Sequence, residues 1–253
     1  TMGAITGHAL MIRLSLTPAA AASIAGVLGG LLAHPTIGRP EEWAGAVYAG
    51  AFAGTGAATV LDSSSWILLA GLTTGMIWSI SCQIWGGLGG KMGMTALIGY
   101  SLTLMGYQWA SGTAIPALPA QTVDWAHTIA IPTAVAAALI TRLAASRPTS
   151  NPVLASAAPT LLFTLTIPLI NSSLGGPISA AWFGGSFVGM TAPSRLDRPH
   201  WIVCASAIFG LALLHLKRPL IGHGGILGTT AMISVLATIG VHHVAKHFSG
   251  LKT

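Results

Sequence analysis

Charge is what this sequence has least of. Asp, Glu, Lys and Arg together make up 6% of the 253 residues, where a soluble domain carries about 25%. So few charges cannot solvate a surface. An ordinary soluble domain is therefore excluded, and most of the exterior must face lipid. Carboxylates are scarcest, with five Asp and Glu in all, and none falls in the middle of a long apolar run. Proton- and sodium-coupled carriers usually hold an ionisable group at membrane depth. Divalent cation sites need several carboxylate or imidazole ligands. A neutral polar solute or a small anion fits this composition better. Cysteine is nearly missing too: Cys82 and Cys204 both lie in apolar segments and read as packing residues. There is no HExxH, no paired CxxC and no Ser–His–Asp set at depth, so neither an enzyme nor a bound cofactor is expected.

What is present is apolar. Hydrophobic residues are 53% of the chain and the mean hydropathy is +0.74. A helix needs roughly 20 mainly apolar residues to cross the hydrocarbon. About nine segments qualify: Leu14–His34, Trp43–Leu61, Trp66–Trp85, Lys91–Ala110, Ala126–Ala145, Pro152–Ile170, Ile178–Arg195, Trp201–Leu216 and Gly225–Ala245. Trp43, Trp66, Trp85, Trp109, Trp125 and Trp201 stand near their ends, where indoles favour the headgroup level. The expected fold is an all-α polytopic integral membrane protein. With nine spans, one side collects Arg39, Lys91, Arg142, Arg147, Arg195, Arg198, Lys246 and Lys252, and the other Arg13, Lys217 and Arg218. That bias places the C-terminus in the cytoplasm. The expected setting is a bacterial inner membrane. The partners are then the lipid bilayer and a small-molecule solute, with no nucleic acid; a homo-oligomer is left open.

The chain also repeats itself. At an offset of 135 residues, Gly50, Phe52, Gly54 and Ala57 meet Gly185, Phe187, Gly189 and Ala192. Leu61-Asp62 meets Leu196-Asp197, and Trp66-Ile67 meets Trp201-Ile202. Gly87, Gly89, Gly90 and Gly93 meet Gly222, Gly224, Gly225 and Gly228, and Thr95-Ala96 meets Thr230-Ala231. Five spans separate equivalent points. An odd number inverts the second half, a recurrent build for transporters and channels. Residues 1–125 form the first repeat, 126–145 a linking helix and 146–253 the second repeat, within one membrane domain.

The glycines admit two readings. Small residues let helix backbones approach closely in lipid. Alternatively, Gly-rich breaks mark discontinuous or re-entrant helices, whose free N–H groups and positive N-terminal ends face a solute. In "GGKMGMTA" and "GHGGILGTTA" the glycines precede a Thr and a helical run, which suits a helix starting at the break. On that reading the substrate-binding residues are Gly90, Gly93 and Thr95 with Gly225, Gly228 and Thr230. Phe52 and Phe187 are equivalent aromatics on the path, and Thr55 and Thr191 lie beside the other glycine pair. Asp62 and Asp197 are either loop residues or symmetric gate residues. Lys91 lacks a counterpart, because Ile226 takes its place, and is expected to snorkel to the headgroups. His242, His243 and His247 could share a helical face, but lie beside Lys246 near the chain end and suit a solvated terminus; no metal is expected.

The function that follows is a channel or facilitative transporter for a small polar or anionic solute, passing between two inverted repeats. Two alternatives stand beside it. One is a non-transporting membrane subunit or scaffold whose glycines pack against partner helices. The other is a His-based metal or haem membrane protein.

Overall fold

A computed structural model of the chain describes residues 1–33, 40–58, 60–61, 63–112, 129–147, 151–170, 175–215 and 224–250. The described residues form ten helices: α1 (Met2–Leu14), α2 (Pro18–Leu32), α3 (Pro40–Ala57), α4 (Ser64–Ser81), α5 (Lys91–Ser111), α6 (Ala130–Ala145), α7 (Pro152–Ile170), α8 (Gly175–Gly189), α9 (Pro199–His215) and α10 (Ile226–Gly250). No strand occurs among the described residues.

The chain opens on a helix that hydropathy does not reveal. α1 carries Gly3, Gly7 and His8, and it buries Gly3, Ala4 and Gly7. It ends where Ser15 turns left-handed, at φ 51. α2 then starts afresh: Pro18 takes the first position, and the Thr17 hydroxyl accepts the Ala20 N–H at 3.3 Å. The expected segment Leu14–His34 is thus the end of one helix, a turn and a second helix.

α1 packs on α3 and α4, and α6 packs on α8 and α9 in the same pattern. The contacts are made by small residues. A methyl on Gly54 would lie 2.6 Å from the Ala4 Cα, and one on Gly185 would lie 2.6 Å from the Ala134 Cα. The halves meet chiefly through α2 with α7 and α5 with α10, and to a lesser extent through α3 with α7 and α2 with α8.

Outside a few buried aromatic and branched side chains such as Tyr48, Tyr100, Phe209 and Ile202, much of the interior is small residues, while many large apolar ones lie outside. Ala20, Ala21, Ala44, Ala53, Ala96, Ala134, Ala181 and Ala231 are all buried. Leu31, Met76, Ile80, Ile84, Met105, Leu143, Leu162 and Leu169 are all exposed by about two thirds or more of their surface. Water-driven folding places large apolar side chains inside. The opposite gradient suits helices that associate by close backbone packing.

Two helices, α7 and the Ile226–Phe248 part of α10, are long and apolar enough to cross a membrane. That is fewer than the nine expected segments. One reason is length: α1, α2, α6, α8 and α9 have 13, 15, 16, 15 and 17 residues. At 1.5 Å per residue these reach roughly 20–26 Å, short of a hydrocarbon core about 30 Å thick. The other is composition. α3 begins with Glu41 and Glu42, and α3, α4 and α5 are diluted by Gly, Ser and Thr.

Candidate functional site

The two Gly-rich stretches end in the same device. Gly90 caps α5 with φ 81, and Gly225 precedes α10 with φ 93. Both values lie in the left-handed region that side chains resist. Each helix therefore starts at the break, as the order of Gly, Thr and helical run predicts.

The starts of α5 and α10 cross each other at these glycines. A methyl on Gly93 would lie 2.5 Å from the Gly228 Cα, and one on Gly228 would lie 2.8 Å from the Gly93 Cα. A methyl on Gly90 would meet the Met232 N at 2.7 Å, and one on Gly225 would meet the Leu97 N at 2.8 Å. Adding 135 to Gly90, Gly93 and Leu97 gives Gly225, Gly228 and Met232. Each contact therefore maps onto its mate with the halves exchanged, which is the signature of a two-fold axis. Gly90, Gly93, Gly225 and Gly228 are brought together, but backbone to backbone: the packing role of these residues is the one the geometry displays.

The same axis passes through four aromatic rings. Tyr48 and Phe52 on α3 meet Phe183 and Phe187 on α8, and all four are buried. Phe52 and Phe187, mates at 135, have ring centroids 5.3 Å apart. Tyr48 and Phe183, also mates, are 6.3 Å apart. The cross pairs Phe52–Phe183 and Tyr48–Phe187 stand at 5.6 and 6.0 Å. These tilted and edge-on arrangements add about 0.5–1.5 kcal/mol per pair beyond burial. Gly89 packs against the Phe187 carbonyl and Gly224 against the Phe52 carbonyl, so the glycine crossing rests on the ring cluster.

The threonines are satisfied locally. The Thr95 hydroxyl donates to Lys91 O at 2.8 Å, and that of Thr230 donates to Ile226 O at 2.9 Å. Thr55 donates to Phe52 O and Thr191 to Val188 O. Each bond runs back into the residue's own helix, not to N–H groups at the break.

A cavity of about 620 Å³ has Phe187 and Thr191 in its lining. Gly90 also lines it; Thr95, Thr230, Thr55 and Phe52 do not. Its charged lining is Glu41, Glu42, Lys91 and Arg142. Glu41 and Glu42 stand in the first turn of α3, where the helix N-terminus favours negative charge. The Lys91 ammonium donates to Cys82 O at 3.4 Å and stands 5.2 Å over the Trp78 ring. It lines the cavity. Arg142 ties the end of α8, donating to the Thr191 and Leu196 carbonyls. Arg195 donates from two nitrogens to Gly86 O, at 3.1 and 3.0 Å. These cations cap exposed carbonyls of the turns that frame the opening.

Asp197 is exposed, and its carboxylate lies 3.9 Å from the equally exposed Arg198 guanidinium. A surface pair of this kind contributes about 0–1 kcal/mol. The position is that of a loop pair, away from the cavity lining. Asp62 lies outside the described residues. Among the described residues, no three His, Cys, Asp or Glu side chains cluster closely enough to hold a metal.

Sequence reasoning missed Tyr48, Phe183, Arg142 and the wall position of Lys91. Phe183 is the mate of Tyr48 at the 135 offset but is not identical to it, so an identity search passes over the pair. The chain matches no known protein family, no curated protein and no solved structure.

Proposed function

We propose that this chain is a polytopic membrane protein of two inverted five-helix repeats, α1–α5 and α6–α10, and that it passes a small polar or anionic solute between them. If each helix crosses or enters the bilayer, five per half turns the second half upside down. α6 then opens the second repeat as α1 opens the first, and takes that place in preference to a separate linker. Helices too short to span alone are accommodated where they pack inside the protein or against its cavity. The exposed band of large apolar side chains supports a lipid-facing exterior.

One observation carries the transport reading. The cavity has in its wall Phe187, one of the paired rings at which the two halves meet. A path closed at its middle by paired aromatic rings is what a two-repeat transporter needs in its shut or one-sided state. Scaffolding by the same glycines is less well supported. Gly90, Gly93, Gly225 and Gly228 are consumed in the chain's own crossing and leave no free face for a partner helix.

The test is solute flux into proteoliposomes, with water, glycerol, urea, ammonia, formate, nitrate and chloride in the panel. Selective or saturable flux of any member is expected. Phe187→Ala, which removes a ring from the cavity lining, is expected to raise leak through the path. Folded, monodisperse protein that moves none of these solutes overturns the reading.

A further inference from the structure

Four hydroxyls gather beside the ring cluster, one from each of α2, α3, α7 and α8. Ser23, Tyr48, Ser156 and Ser186 are all fully buried. Ser156 and Ser186 share a hydrogen bond at 2.9 Å, and Ser186 also donates to Phe183 O at 2.7 Å. The Ser23 and Ser156 hydroxyls stand beside that of Tyr48. Yet neither Tyr48 Oη nor Ser23 Oγ makes a hydrogen bond of ordinary geometry. Hydroxyls held at full burial beside partners that miss good hydrogen-bond geometry are costly, up to about 1–3 kcal/mol each, and need a reason.

Symmetry makes the cluster more pointed. The mate of Tyr48 is Phe183, and the mate of Ser186 is Ala51. Packing alone is served by Phe at position 183, so the extra oxygen of Tyr48 is not required for the four-ring contact. It is the one hydroxyl carried by the rings that close the path.

We propose that Tyr48, with Ser23, Ser156 and Ser186, forms the selecting station of this path and takes a neutral hydrogen-bonding solute of the small amide or polyol class. The inference rests on the transport reading above and narrows its solute. A hydroxyl both donates and accepts, as amide and polyol groups do. A bare ion among four hydroxyls and four rings would lose its water with no opposite charge in the cluster, at heavy cost. The charged residues Glu41, Glu42, Lys91 and Arg142 line the cavity, not this cluster. Phe187 alone of the four rings lines the cavity, and its ring centroid stands 6.0 Å from that of Tyr48, which links the cluster to the cavity wall.

The experiment compares glycerol and urea with formate and nitrate in proteoliposomes holding the wild-type chain, Tyr48→Phe or Ser23→Ala. The neutral pair is expected to move about tenfold faster than the anions through the wild type. Tyr48→Phe is expected to shift the glycerol-to-urea flux ratio by about fivefold, the scale of one hydrogen bond, with a smaller shift for Ser23→Ala. A merely structural role would scale all solutes together and leave that ratio fixed. Should Tyr48→Phe fail to fold, Ser23→Ala carries the same readout. Anion flux equal to or above neutral flux, or an unchanged ratio in both variants, overturns the station while transport stands. No flux of any solute by folded wild type overturns the transport reading and the station with it.

Discussion

The two halves agree at the axis and disagree at the rim. On the axis, Gly90 answers Gly225, Gly93 answers Gly228 and Phe52 answers Phe187, each in equivalent contact. Along the cavity, Lys91 answers Ile226, and Arg142 answers Gly7 at the same offset. Positions that must fit their own mate across a two-fold are constrained twice, so they stay alike in shape, and the axial pair Tyr48 and Phe183 differs by a single hydroxyl. Positions that face an opening are free to diverge, and divergence gives the two faces of the molecule different chemistry. Identity between the halves therefore marks packing, and its loss marks the places where the two faces differ in chemistry.

The sharpest way to break this contrast is at the crossing. Gly93→Val and Gly228→Val each drive a branched side chain into the facing backbone, with no flexible neighbour to yield. Overpacking of this kind costs about 3 kcal/mol. Both variants are expected to lose most of the folded, monodisperse protein in detergent, and to the same degree. A mild effect in either, read by thermal unfolding, breaks the two-fold argument.

At the rim the effect should be one-sided and smaller. Arg142 holds two carbonyls at the end of α8, where Thr191 and Leu196 sit. Arg142→Gln keeps a polar head but loses the charge and the fork. The expected destabilisation is about 2 kcal/mol, the scale of hydrogen bonds to a charged group. Arg13, in the last turn of α1, is exposed. Arg13→Gln is expected to change stability by less than about 0.5 kcal/mol. Equal shifts in unfolding temperature for the two variants would mean that Arg142 does not brace the opening.

Much of this is legible in the sequence, for physical reasons that also explain the gaps. The glycine offset holds over a stretch free of insertions, so the repeat by itself picks out the crossing residues. The helix starts at Lys91 and Ile226 follow from Gly at the preceding position. α1 does not show, because its helicity rests on packing Gly3 and Gly7 against α3 and not on a long apolar run. The segment Trp66–Trp85 reads too long because the apolar turn residues Ile84 and Trp85 extend hydropathy past the last turn of α4. The ring cluster is half visible: identity picks out Phe52 and Phe187, while Tyr48 and Phe183 share only size and ring shape. The cavity is not visible at all, since Glu41 at the start of α3, Gln83 after α4 and Asn151 before α7 converge on it from separate parts of the chain.

The smallest expected effect separates the threonines from the glycines they follow. Thr95 and Thr230 each return a hydroxyl to the carbonyl four residues back, at equivalent positions. Bonds of this type compete weakly with the helix ladder and add little to stability. Valine keeps the shape and removes the oxygen. Thr95→Val and Thr230→Val, alone or together, are expected to shift stability by less than about 1 kcal/mol, one net hydrogen bond. Thr95 is fully buried, 3.4 Å from the Ser81 hydroxyl, whereas Thr230 keeps 8% of its surface exposed. Flux is the discriminating measurement. Were the free N–H groups at the helix starts the binding site, the double variant would lose most of its flux with the fold intact. Were the path selected at Tyr48 instead, the same variant would carry solute at close to the wild-type rate, and the glycine crossing would serve only to hold the two halves on their axis.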